Sequence, residues 1–325
     1  MLVAFVSRGT ALERIEVREG GGVPPGAVWI DLLSPTAEED RAVEAAVGVA
    51  VPTREEMAEI EPSSRLYIEN GARYMTATLI CAADTDMART TVVTFILGSG
   101  PLVTVRYDDP RPFAISANRL ARYCQPGVNG VSILVDLLDA IVDRAADVLE
   151  RVGSEIDIVS QRIFERGQDA TEASRSYKEI LKTIGQKGNL NSKLRESMVS
   201  INRLLLFLAN DAEDIRLQKD QRSLVKSMAR DVSSLTDHAS FLANKITFLL
   251  DAILGMVNLE QSNVIKIFSV VAVVFLPPTM IASIYGMNFD IMPELHWTFG
   301  YPFALLLMVG AAVLPYAFFR WKKWL

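Results

Sequence analysis

The spacing of apolar positions changes along the chain and divides it into three stretches. Over residues 1–125 short β-rich runs dominate: Leu2–Val6, Val28–Leu32, Val92–Leu97 and Leu102–Val105, bounded by Gly, Pro or Ser. Arg65–Ile68 and Arg73–Ile80 flank Asn70-Gly71, a dipeptide that favours a tight hairpin. Ser34-Pro35-Thr36 before Glu38 and Glu39, and Pro52-Thr53 before Glu55 and Glu56, predict helix starts with acidic first turns. Those carboxylates are read as compensating the helix dipole rather than as ligands. The first stretch is therefore a small α/β domain.

No proline occurs between Pro126 and Pro277, and the apolar period becomes helical. Ile133, Leu134, Leu137, Leu138, Ile141 and Val142 mark one helical face over Val131–Phe164. Asp136, Asp139, Asp143, Asp147 and Glu150 mark another. Gly167 and the polar residues after it predict a turn, and Gly185–Asn191 a further break. From about Ser192 the pattern runs on through Leu204, Leu208, Ile215, Leu224, Leu235, Phe241, Leu249 and Ile253. A helix on the order of 90 residues would be ~130 Å long. Isolated helices are marginal, so this one is read as a stalk packed in an oligomer.

The third stretch is almost uncharged. Residues 264–285 carry Lys266 alone, and residues 301–319 carry no charge. Each run is close to the ~20 residues that cross ~30 Å of hydrocarbon. Two such runs predict a membrane hairpin rather than core helices. The connecting residues 286–300 contain no Lys or Arg, whereas Arg320, Lys322 and Lys323 follow the second run, and Lys245 and Lys266 precede or begin the first. The excess of Lys and Arg places both termini in the cytoplasm, with Trp297, Tyr301, Trp321 and Trp324 at the interfaces. The opening Met1–Val6 is too short for a signal-peptide core.

Composition then falls into place. The 325 residues combine 50% hydrophobic with 22% charged side chains, at odds for a soluble domain. Residues 263–325 hold four basic and two acidic side chains, a net of +2, which leaves −8 for the rest of a chain whose total is −6. An acidic body is thus joined to a weakly basic membrane segment, an unsuitable charge for nucleic acid. Two cysteines, Cys81 and Cys124, make no disulfide framework, and two histidines cannot build a histidine-rich metal site. There is no GxxxxGK[ST] motif and no nucleophile–base arrangement, so the chain is read as no enzyme.

The loop between the two apolar runs reads Tyr285-Gly286-Met287-Asn288-Phe289, followed by Met292-Pro293-Glu294-Leu295, with Trp297 to Pro302 leading into the second run. In this it resembles the CorA family of divalent-cation channels, whose hallmark is a Gly-Met-Asn tripeptide at the outer end of the first of two C-terminal spans. The resemblance extends to the stalk and the N-terminal domain. It implies an α+β cytoplasmic domain, a long stalk helix and a two-helix transmembrane hairpin, assembled as a homopentameric funnel in the cell inner membrane. The expected divisions are 1–125 for the α/β domain, 126–190 for the acidic helical region and 191–263 for the stalk. They continue as 264–285 and 301–319 for the two spans, 286–300 for the external loop and 320–325 for the basic tail.

The resemblance implies influx of Mg²⁺, with Co²⁺ and Ni²⁺ as further cargo, gated by cytoplasmic Mg²⁺ and with no covalent cofactor. Gly286, Met287 and Asn288 would form the selectivity filter. Mg²⁺ dehydrates reluctantly, and a ring of Asn288 carbonyls can accept hydrogen bonds from its waters without holding the ion too tightly. Gly286 is expected to let the chain turn sharply. Asp290 and Glu294 either concentrate external cations or simply keep the loop soluble. The resemblance also implies that the first helix lines the path: Thr279 would touch waters of the ion, and Leu276, Phe268 and Ile265, which fall near the family's pore positions, would make apolar constrictions, although Phe268 is bulkier than expected there. Asp251 is either a carboxylate ring at the cytoplasmic mouth or a stalk surface charge. Pro277-Pro278 would loosen the helix and free carbonyls. Arg320, Lys322 and Lys323 serve as membrane anchors and, by resemblance, as a basic collar. The face of Asp136, Asp139, Asp143 and Asp147 is the candidate Mg²⁺ sensor. Two other readings stay open: a zinc importer of the same superfamily, with or without proton coupling, and a membrane-tethered sensor that conducts nothing. Such zinc importers usually depart from the methionine that is Met287 here.

Overall fold

The computed structural model describes all residues except 19, 86, 166–169, 216, 289–291, 293–296 and 323–325, and only the backbone of 62, 165 and 170–176. The chain forms two compact units: Met1–Gly167 with Lys178–Leu249, and Gln168–Tyr177 with Leu250–Leu325.

The first unit is built on a seven-stranded sheet. Its strands are β1 (Leu2–Ser7), β2 (Leu12–Val17), β3 (Ala27–Leu33), β4 (Leu66–Glu69), β5 (Ala72–Cys81), β6 (Arg89–Leu97) and β7 (Leu102–Arg106), in the order β2-β1-β3-β7-β6-β5-β4. Only β3 and β7 pair in parallel; the other neighbours are antiparallel. Asn70 and Gly71 both take positive φ, 50° and 81°, as a two-residue hairpin turn of this kind requires, and Glu69 pairs directly with Ala72. Strand β2 is absent from the sequence reading. Its Leu-Glu-Arg-Ile-Glu-Val carries three charges, which suits a sheet edge that must not recruit another strand but weakens the apolar signal.

Short helices α1 (Ala37–Val47), α2 (Arg54–Ala58), α3 (Pro62–Arg65) and α4 (Arg111–Arg122) connect the strands. Thr36 with Glu39 and Thr53 with Glu56 form reciprocal capping boxes, so these acidic first turns satisfy free backbone donors. On one face of the sheet Leu2, Ile30, Leu32, Val103 and Val105 bury Val43 of α1 and Met57 of α2. On the other, Phe5 stacks on Trp29 at 4.2 Å, and Phe113 of α4 sits 6.2 Å from Trp29 and 6.4 Å from Phe95.

Three long helices complete the first unit: α5 (Gly130–Glu165), α6 (Ala170–Asn210) and α7 (Lys219–Tyr285), of which α6 and α7 also contribute to the second unit. The side-chain amide of Asn191 donates to the Ala239 carbonyl at 2.8 Å, and Lys187 pairs with Glu155. A Cβ on Gly153 would lie 3.8 Å from Leu242, and one on Gly188 would lie 3.7 Å from Ile246. The contacts 153–242 and 132–221 make α5 and α7 parallel, while 191–239 and 188–246 make α6 antiparallel to α7.

Two expectations fail here. Gly185–Asn191 does not interrupt a helix: α6 runs through it, and Gly188 buys a close approach to Ile246. Nor does one helix run unbroken from Ser192. The backbone turns over residues 211–215, Leu217 N–H donates to the Ala212 carbonyl, and Asp211 is held by Arg73 at 2.5 Å. The amide of Gln218 then finds the Gln221 side chain at 3.0 Å, which caps the start of α7. The apolar period is similar on both sides of that turn, so a helical-spacing test misses it. The long helix has 67 residues, about 100 Å at 1.5 Å each.

Candidate functional site

In the second unit, the end of α7 is followed by α8 (Gly300–Trp321). Both are long and apolar enough to span a membrane, with mean hydropathies of 2.2 and 2.0 over their best windows. Only 6% of each window is buried, which separates these helices from the core helices of a soluble domain. Their side chains therefore offer apolar surface outward, to lipid or to other copies.

On an ideal helix Asp251, Ile265, Phe268, Leu276 and Thr279 fall within an arc of about 100°. All five are exposed, Ile265, Phe268 and Leu276 to between 65% and 71%. The same stripe contains further exposed residues that the sequence reading did not single out, among them Leu254, Asn258, Gln261, Ala272 and Ser283. Extending the 3.6-residue period in both directions from Ile265 would have found them. Thr279 donates its hydroxyl to the Phe275 carbonyl at 2.8 Å, and Ser269 does the same to Ile265. Pro277 and Pro278 lie inside α7, and without N–H groups they leave the carbonyls of Val273 and Val274 without their helical donors.

Helix α7 ends at Tyr285, where Gly286 N–H donates to Ala282 and Met287 N–H to Ile284. Gly286 does not adopt left-handed backbone, contrary to the sharp-turn role expected for it. A Cβ there would instead lie 3.2 Å from the Ala282 carbonyl, so glycine allows a close approach of the last helical turn. Met287 and Asn288 are exposed beyond it. Asp290, Glu294 and Lys323 lie outside the described residues. Trp297 packs against Phe299 and Phe303 at the start of α8, and Trp321, under the Lys322 ammonium at 5.8 Å, marks its end beside Arg320. An amphipathic ring thus stands at each end of the second apolar helix, as interface anchors do.

The acidic face of α5 is less uniform than its spacing implies. Asp136 is held by Arg119 at 2.6 Å, and its other oxygen is buried without a partner. Burial, and then the neighbouring Asp143 carboxylate, raise the pKa of Asp139. Asp143 and Asp147 are exposed. Among the described residues no group of three His, Cys, Asp or Glu side chains is placed to hold a metal ion. A cation on this face would need further ligands.

Taken together, an α/β domain, a helical bundle and two exposed apolar helices joined through Gly286-Met287-Asn288 define a membrane transport protein of α/β-plus-hairpin architecture. The chain belongs to the CorA-like Mg²⁺ transporter protein family, whose model matches residues 25–323. It is 36% identical over 325 residues to the magnesium transport protein CorA of Escherichia coli strain K12, and 34% identical to that of Pectobacterium atrosepticum, covering all of both chains. The full-length CorA magnesium transporter of Methanocaldococcus jannaschii shares the fold with a TM-score of 0.78 at 18% identity, over 100% of this chain and 99% of that one. This family is one of transporters, not an enzyme class.

Proposed function

We propose that the protein conducts Mg²⁺, with Co²⁺ and Ni²⁺ as secondary cargo, into the cell down the electrochemical gradient. The observation that carries this reading is the exposed stripe of α7 ending in Gly286-Met287-Asn288, in a chain similar along its whole length to magnesium transport proteins. Two spans cannot enclose a pathway, so several copies must pool their α7 stripes; the family likeness supports five, around one axis in the inner membrane with both termini cytoplasmic. Asn288 accepts hydrogen bonds from the waters of the entering ion, and Thr279 and Ser283 offer hydroxyls below it. Leu276, Phe268 and Ile265 form apolar constrictions that close by excluding water. Asn258 and Asp251 continue the stripe towards the cytoplasm. Asp290 and Glu294 draw cations to the outer mouth, and Arg320, Lys322 and Lys323 form the basic collar.

A divalent ion crossing 100 mV gains about 4.6 kcal/mol, twice the ~2.3 per elementary charge, so no nucleotide hydrolysis is needed. Cytoplasmic Mg²⁺ closes the pathway through the α5 face. Asp139 and Asp143 are its best ligands, because a cation relieves their mutual repulsion, whereas Asp136 is already neutralised by Arg119. Asp147 adds charge one turn further on. Feedback of this kind requires Mg²⁺ to bind the closed state more tightly than the open one.

The test is ion flux into reconstituted vesicles for Mg²⁺, Co²⁺, Ni²⁺ and Zn²⁺, with internal Mg²⁺ varied and with or without a proton gradient. Mg²⁺ influx that falls as internal Mg²⁺ rises, and ignores the proton gradient, is the expected result. Proton-dependent Zn²⁺ uptake without Mg²⁺ uptake would overturn it.

A further inference from the structure

A second, unrelated feature lies in the first unit. Where α6 passes the β4–β5 edge of the sheet, the two do not close on each other, and a cavity of about 460 Å³ remains. On α6 the lining positions 192, 195, 196, 199 and 203 follow one helical face. A helix face laid on a sheet is normally apolar. This one presents Arg195, Glu196 and Arg203, with Arg65 entering from the end of α3.

Among the described residues no carboxylate neutralises these three guanidinium groups. Arg65 is fixed by neutral partners alone: its Nε donates to the Glu59 carbonyl at 2.5 Å and its Nη1 to the Thr78 hydroxyl at 3.0 Å. Among the described residues no carboxylate pairs with Arg195 or Arg203. By contrast, Arg73, Arg89, Arg106 and Arg144 of the same unit each hold a carboxylate within 2.8 Å. Three positive groups and one carboxylate, Glu196, therefore share a cleft in a body whose net charge is −8. The floor is built rather than loose. Thr76 and Thr78 are 5% exposed, Thr76 bonds Thr94 at 2.8 Å, and the Thr78 amide donates to the Ser200 hydroxyl at 2.9 Å. The lining also includes apolar side chains: Ile60, 85% exposed, and Val199 on α6, 37% exposed.

We propose that this cleft binds a phosphorylated anion of nucleotide size. Planar guanidinium forks match phosphate oxygens in pairs, and an anchored Arg65 contributes them without loss of side-chain freedom. The volume lies in the range of small-molecule sites, and Ile60 with Val199 offers the surface on which an apolar ring can rest. Glu196 opposes a bare polyphosphate but can face the water shell of its Mg²⁺ complex, which selects the metal-bound form. No sequence motif marks the site, since its arginines come from α3 and α6 rather than from one loop.

The experiment is isothermal titration of the full-length protein in detergent with ATP plus Mg²⁺, ATP plus chelator, and inorganic phosphate, at constant ionic strength. Saturable binding of Mg²⁺–ATP is expected, weaker for chelated ATP and weakest for phosphate. The double variant Arg195→Gln/Arg203→Gln should weaken it by at least about tenfold, with an unchanged melting temperature and with Arg8→Gln as the distant control. Glu196→Gln should abolish the advantage of the Mg²⁺ complex while leaving chelated ATP bound. Unaltered affinity in the folded double variant, phosphate binding as tight as ATP, or no saturable binding at millimolar ligand would each overturn the assignment.

Discussion

The buried pair of Arg106 and Asp31 provides the sharpest test of how the sheet is held together. Both side chains are about 7% exposed or less, and Asp31 receives Nη2 at 2.8 Å, Nε at 3.0 Å and the Thr104 hydroxyl at 2.7 Å. Trp29 in turn donates to Thr104 at 3.0 Å, and the guanidinium lies 4.6 Å from the Phe113 ring. Replacing Asp31 with alanine removes four hydrogen bonds, the Nε group being shared between both carboxylate oxygens, and leaves the cation buried. Breaking such a pair from one side costs about 3–5 kcal/mol. Asp109, at 2.5 Å from Nη1, remains as a partner for Arg106, so the lower end applies, about 3 kcal/mol. For a unit of this size each kcal/mol lowers Tm by about 2–4 °C, giving a loss of about 6–12 °C. Circular dichroism melts of the full-length protein would measure it. The double variant Asp31→Leu/Arg106→Met, which removes both charges, should recover most of the loss. A single variant that melts within 2 °C of wild type, or a double variant worse than the single, would refute the reasoning.

Three further outcomes follow from the same packing. Asp139 carries a carboxyl raised above its ordinary 3.8 by burial and by Asp143, so its contribution to stability is full below that pH and lost as pH rises through the folded value. Asp139→Asn should therefore raise Tm at pH 7, with the difference closing near pH 3.8; a lower Tm at pH 7 would count against it. Gly130→Ala would place a Cβ 2.6 Å from the Leu102 amide nitrogen, and should destabilise by about 1–3 kcal/mol in the same melts. Gly185→Ala meets nothing within 4 Å in the interior of α6 and should instead stabilise by about 1 kcal/mol, or 2–4 °C in Tm.

Which parts of this protein could be read from its sequence depends on how local their physics is. The Asn70-Gly71 turn, the Thr36 and Thr53 caps and the two apolar helices are each fixed by neighbours in sequence, and each is present in the structure. Ile265, Phe268, Leu276 and Thr279 are named instead through the family resemblance; the structure adds that they share one exposed face of α7. What escaped is set by distant contacts. Strand β2 exists because β1 accepts it, and Gly188 stays helical because Ile246 packs there. The turn over residues 211–215 follows a partner 138 positions away, Arg73. The acidic face of α5 reads as four equivalent carboxylates, yet Arg119 on another helix singles out Asp136. The arginines of the α6 cleft are invisible for the same reason: their lack of carboxylate partners is a property of space, not of spacing.

The central claim is that Asn288, at the end of the exposed α7 stripe, meets the entering hydrated ion. The most direct test is Mg²⁺ uptake into proteoliposomes under an inside-negative potential, comparing wild type with Asn288→Ala reconstituted at equal density and with the same oligomeric size. Wild type should fill the vesicles with Mg²⁺, and Asn288→Ala should reduce uptake to the leak of protein-free vesicles. Undiminished uptake by the variant would contradict the account.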